Sequence, residues 1–149
     1  MRPRGDAGRL TVAGILDAAG HPPADRPGPL VVLSACETDL STRDHDEALT
    51  LATALVGGGA ADVVGSRWAV QDGTAAVMMV VFHHYLASGG LAPPDALRAA
   101  QLWMLDPHRE AMPALSGPLR IEATRPDLHH IRHWAAFTHQ GNPTATAAH

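Results

Sequence analysis

The chain has 149 residues, 46% of them apolar and 4% aromatic, with 11 basic residues, 15 acidic residues and one Cys, for a formal charge of -4. A domain of this length buries roughly two thirds of its unfolded surface, so no disulfide or metal staple is called for. Every basic residue other than histidine is Arg, which excludes a P-loop phosphate clamp and lysine-based catalysis, and the scattered arginines of an acidic chain give no stripe for nucleic acid.

Residues 1–9 are expected to be a flexible amino terminus, with no apolar signal core behind Met1-Arg2-Pro3-Arg4. Thr11 can cap a short helix whose residues Val12, Ile15, Leu16 and Ala19 share one face, ended by Gly20. The stretch His21 to Pro29 holds four prolines and reads as a loop. Leu30-Val31-Val32-Leu33 is an apolar run without alternation, as in a strand covered on both faces of a parallel sheet. Asp44 and Glu47 have the spacing of a capping box, after which Ala48, Leu51, Ala52 and Leu55 continue at helical spacing to the stop at Gly57-Gly58-Gly59. Asp62-Val63-Val64-Gly65-Ser66 reads as a second buried strand, completing a unit of βαβ size and a parallel pair.

Asp72-Gly73-Thr74 offers the next helix start, and Ala75 to Leu86, apolar on nearly every side, predicts a deeply buried helix ended by Gly89-Gly90. That stretch contains His83 and His84 and is too short to span a bilayer. The expectation is a cytoplasmic protein that touches neither membrane nor nucleic acid. Pro93-Pro94 opens a helix with Leu97, Ala100, Gln101 and Met104 on one face, up to the break at Asp106-Pro107. Residues 107–126 read as irregular, residues 133–141 as a last strand or short helix, and residues 142–149 as a disordered tail.

Ligands and catalytic groups collect beyond the carboxyl ends of strands in open parallel sheets. Two segments are predicted there: Cys36, just after the first strand, and the Ser66 to Asp72 loop after the second. A thiol at such an edge is either a nucleophile with a lowered pKa or a small buried apolar residue, and position alone favours the latter. The surrounding string changes that weighting. Leu30-Val31-Val32-Leu33-Ser34-Ala35-Cys36-Glu37-Thr38 resembles the signature of CHAT domains, which are caspase- and separase-like cysteine peptidase modules. The run Val63 to Asp72, with its Trp-x-Val-x-Asp loop, resembles the segment that follows in that family. Asp95 to Gln101 resembles its ALRxAQ helix, and His133 to Phe137 resembles its closing WAAF segment.

The resemblance implies an α/β fold: a three-layer caspase-like sandwich with a mainly parallel sheet. Residues 10–141 would form a partial domain lacking the amino-terminal strands. It implies a Cys36 thiolate attacking a peptide carbonyl, with Glu37, Thr38, Ser66, Arg67, Trp68 and Asp72 lining the substrate cleft. Asp72 either recognises a basic side chain or caps the following helix. Catalytic members carry a histidine in a His-Gly motif on an earlier strand, and this chain is expected to begin after it. An upstream segment or a sensor protein is therefore the expected source of the general base. The alternative is a non-catalytic protein-interaction module of the same fold. The expected partners are a peptide or protein substrate and a second copy of the chain, paired through an exposed sheet edge. No cofactor or metal is implied.

Among the histidines of this chain, His45 follows the nucleophile closely but sits in the charged run Arg43 to Glu47, and His21 lies before the strand. His129 and His133 have the i, i+4 spacing of two ligands on one helical face, but no third ligand is evident, and surface placement is expected. Trp68, Trp103 and Trp134 are expected to fill the core with their indole N–H groups partnered.

Overall fold

The computed structural model describes Gly14, Asp17 and residues 28–33 and 45–141. Gly14 and Asp17 are helical and exposed, positions that the polar side of the predicted Val12–Ala19 helix would occupy. The two termini, most of the proline-rich loop, Asp44 and residues 34–38 lie outside the described residues.

The described elements are β1 (Leu30–Leu33), α1 (His45–Gly57), β2 (Asp62–Ser66), α2 (Asp72–Ala87), α3 (Pro93–Leu105), α4 (Gly117–Glu122), α5 (Ile131–Trp134) and β3 (Phe137–Gly141). The strands form one sheet in the order β1-β2-β3. β1 and β2 are parallel, with Leu30 beside Asp62 and Leu33 beside Gly65. β3 runs antiparallel to β2, with Phe137 beside Ser66 and Gly141 beside Asp62. The described sheet is therefore mixed, which corrects the expectation of a mainly parallel one. The reason is the connection: α5 and the two residues after it deliver the chain to the carboxyl end of β2, and an adjacent strand entering there must run back the other way.

The unbroken apolar run of β1 is explained by two covered faces. Val31, Leu33 and Val63 point toward α1, where they pack with Ala52, Leu55, Val56 and Ala60. Leu30, Val32, Val64 and Phe137 point the other way, into the larger core built on α2 and α3. Successive side chains of a strand alternate between faces, so a strand with helices on both sides must be apolar throughout. Val77, Met78, Val81 and Phe82 of α2 and Ala96, Ala100 and Met104 of α3 are fully buried. The small Ala96 and Ala100 let the two helices approach closely.

The stop after α1 works as its glycines suggest. Gly59 adopts φ 102°, a conformation open to glycine at low cost. Its carbonyl also lies so close to Gly28 that any side chain at residue 28 would overlap it. Ala61 N then donates to Pro29 O at 3.0 Å, which seats the start of β1 against the turn.

The expectation of irregular structure over residues 107–126 is corrected by α4, a six-residue helix entered through Ser116, Gly117 at φ +53° and Pro118 in the first turn. The rest of that stretch is organised by Arg109. Its guanidinium donates to the carbonyls of Asp106 (2.9 Å), Ala123 (3.2 Å) and Arg125 (2.8 Å), and it stands 5.6 Å from the centre of the Trp103 ring. Burial lowers its pKa, with the Asp106 carboxylate opposing that shift. Among the described residues no helix is long and apolar enough to cross a membrane.

Candidate functional site

β1 and β2 end side by side, Leu33 next to Gly65. Cys36, Glu37 and Thr38 follow β1 and lie outside the described residues, so the described part of the predicted cleft is the loop after β2. Ser66 is the last residue of β2, and its hydroxyl donates to the Trp68 carbonyl, folding the loop back on itself. Arg67, exposed through its side chain, donates its backbone N–H to Ala136 O at 2.8 Å. Trp68 is 37% exposed and donates its indole N–H to Arg132 O at 3.1 Å. Val70 is buried and anchors the loop in the α2–α3 core.

Two expectations for these residues are corrected. Trp68 is not a core residue; its ring stands at the surface, whereas Trp103 and Trp134 are partly buried against the core. All three indole N–H groups are partnered, Trp103 to Glu110 O and Trp134 to His129 O, each at 3.0 Å. Asp72 does not cap α2: it is the first helical residue, Gln71 is the N-cap, and no side chain makes the capping bond. Its exposed carboxylate has no hydrogen bond or ion pair among the described residues, and only the positive end of the helix dipole favours its charge.

Beside this loop stands a polar network that periodicity did not reveal. Arg125 holds both oxygens of Asp127, through Nε at 3.0 Å and Nη2 at 2.8 Å. Its Nη1 donates to Glu122 Oε1 at 2.7 Å and to Gln71 Oε1 at 3.0 Å. These bonds hold the Asp127 carboxyl well below the usual carboxylate range and raise the pKa of Arg125. Asp127 Oδ2 also lies 3.3 Å from Arg132 Nη2 and 3.4 Å from His133 Nε2. Glu122 accepts from the buried Thr74 hydroxyl at 3.2 Å, which ties the network to the first turn of α2. The spacings Glu122-x-x-Arg125 and Arg125-x-Asp127 are visible in the sequence, but nothing local shows that they face Gln71.

The surface placement expected for the His129 and His133 pair is corrected for His133, which is 3% exposed. Burial lowers its pKa, against the opposing pull of Asp127, and Arg132 Nε donates to its Nε2 at 3.1 Å, the geometry of a neutral ring. α5 begins only at Ile131, so His129 stands off the helix and the i, i+4 geometry does not form. Among the described residues the buried Nδ1 of His129 has no partner, and no group of three or more His, Cys, Asp or Glu can hold a metal. His45 opens α1.

A further pair, His139 Nε2 and Asp62 Oδ1 at 2.6 Å, joins β3 to the start of β2. It lies four residues along β2 from Ser66, roughly 13 Å at the usual strand rise, and belongs to the opposite end of the sheet. Gln101, in contrast, does serve the loop end. Its Nε2 donates to Trp134 O at 3.3 Å and Phe137 O at 3.0 Å, fastening α3 to the turn that leads into β3.

A family model described as CHAT domain matches residues 4–142. No curated protein and no solved structure gives a significant match.

Proposed function

The chain belongs to the CHAT domain family, and from that premise we propose that it is a caspase-like cysteine endopeptidase module with Cys36 as its nucleophile. One observation carries most of the support: the parallel pairing of β1 with β2 puts Leu33, three residues before Cys36 in the sequence, beside Gly65 at the end of the sheet where the Ser66–Asp72 loop begins. The described sheet, with α1 on one face and α2 and α3 on the other, is on this reading part of a larger three-layer caspase-like sandwich.

The Cys36 thiolate adds to the scissile carbonyl carbon. The C–N bond then breaks as the leaving amine takes a proton from an imidazolium, and water hydrolyses the thioester, releasing the acid and restoring the thiol. No cofactor enters these steps. No histidine of this sequence is followed by glycine, and the Nε2 of His133 is engaged by Arg132. The base is therefore assigned to an upstream segment or a sensor protein. Glu37, Thr38, Ser66, Arg67 and Trp68 line the cleft. The Asp72 carboxylate, without a partner among the described residues, receives a basic substrate side chain.

The second reading is a non-catalytic interaction module, which the exposed Trp68 and the 67% exposed Ile131 favour. Measured with the histidine-bearing segment or sensor protein supplied, iodoacetamide alkylation of Cys36 across pH, together with labelling by a peptidyl acyloxymethyl ketone carrying arginine at P1, separates the two. The peptidase reading expects alkylation to follow a pKa below the free-thiol value of about 8.5, and labelling that is lost in Cys36→Ala. Alkylation that tracks the free-thiol value, with no labelling, overturns it in favour of the interaction module.

A further inference from the structure

The Trp68–Asp72 loop is held in a closed circuit of side chains. It leaves the loop at Gln71, whose Oε1 accepts from Arg125 Nη1 across 54 positions of sequence. Arg125 passes it to Asp127 through two parallel bonds. Asp127 accepts from Arg132 Nη2 at 3.3 Å, and the Arg132 carbonyl accepts the Trp68 indole N–H, returning the circuit to the loop. Glu122 forms a branch, accepting from both Arg125 and Thr74.

We infer that Arg125 is a positioning residue for this loop, fixing where Trp68 and Asp72 stand at the carboxyl end of β2. The inference rests on the peptidase reading for what the loop is positioned to bind. Its geometric content stands without that reading.

Two arguments support the assignment. The first is donor geometry. Arg125 addresses Gln71, Glu122 and both oxygens of Asp127 at once, which a planar guanidinium can do and a compact lysine ammonium cannot. The second is exposure. The side chains of Arg125 and Asp127 are 32% and 27% exposed, and ion pairs that reach solvent add little to global stability. Four directed bonds from one side chain of small energetic worth are better accounted for by the geometry they impose than by the energy they contribute.

The test uses the full chain with 5-fluorotryptophan in place of its three tryptophans, with the Trp68 resonance assigned from Trp68→Phe. Gln71→Ala removes only the loop side of the circuit, and Arg125→Lys keeps the charge but not the fork. Both variants are expected to shift or broaden the Trp68 resonance, with Gln71→Ala leaving Trp103 and Trp134 in place. Both are expected to slow acyloxymethyl ketone labelling of Cys36 roughly tenfold or more, since small misplacements of positioning groups cost up to about a hundredfold.

An unmoved Trp68 resonance in both variants overturns the inference. If Arg125→Lys does not fold, Gln71→Ala, which alters one exposed side chain, decides alone. A moved resonance with unchanged labelling of a reactive Cys36 also overturns it, because the loop then positions nothing for the substrate. A moved resonance when wild-type Cys36 stays inert even with the histidine-bearing segment supplied upholds the positioning role and removes the peptidase reading instead.

Discussion

The α2–α3 layer and the stretch between α3 and β3 pack against each other but are held by different forces. In the first, Val77, Met78, Val81 and Phe82 share one buried apolar cluster with Ala96, Ala100 and Met104. The second is pinned to that core at Met112, Leu115 and Leu128. Between those points it is held by arginines, Arg109 and Arg120 on backbone carbonyls and Arg125 on carboxylates. The apolar layer is insensitive to pH and adds stability in proportion to buried area. The arginine-held stretch fixes directions, and it supplies the polar partners of Trp68 and Gln71 in the loop after β2.

The largest effect should come from cutting into the apolar layer. Phe82→Ala removes a fully buried ring and is expected to cost about 3–5 kcal/mol of global stability, read as a lower denaturant midpoint. A cost under about 1 kcal/mol would break the contrast, since the layer would then not be the energetic centre.

Next in size is Arg109→Met, which deletes three charge-assisted bonds to carbonyls and the contact with Trp103. The expected loss is about 1.5–3 kcal/mol, and its location matters more than its size. Amide exchange should accelerate over residues 106–126 while α2 keeps its protection. Uniform acceleration would show that the two regions unfold as one unit.

The smallest effect is one of pH. Burial keeps His133 neutral by lowering its pKa below the ordinary 6.5. Below 6.5 the unfolded chain takes up a proton that the folded ring refuses. The contribution is therefore complete above 6.5 and is lost as pH falls from there toward the lowered folded value. Asp127, held low by Arg125, adds a separate loss only as pH falls below its ordinary 3.8. Between about pH 7.5 and about pH 5.5, wild-type Tm should fall further than that of His133→Asn. Equal slopes would show that His133 titrates as it does in the unfolded chain.

The same contrast explains what could be read from the amino acids. β2 forms over the predicted residues, and α1, α2 and α3 end at the glycines and the Asp106-Pro107 break that were expected to stop them. Each of these signals is local, a period of apolar residues closed by a turn former. In the candidate site, Ser66, Arg67, Trp68 and Asp72 do lie at the carboxyl end of β2 as expected. What they touch was not legible, because the partners of that loop come from Glu122 to Ala136.

By itself, the amino-acid order determined the apolar elements, the parallel pair they form and the family to which the chain belongs, since periodicity and short motifs are properties of neighbours in the chain. Tertiary structure alone decided that β3 is antiparallel, that Trp68 faces solvent while His133 is buried, and that Arg125 reaches Gln71. The physical reason is that directed hydrogen bonds between distant segments leave no period in the sequence. They exist only once burial of the apolar layer has brought those segments within 3 Å of each other.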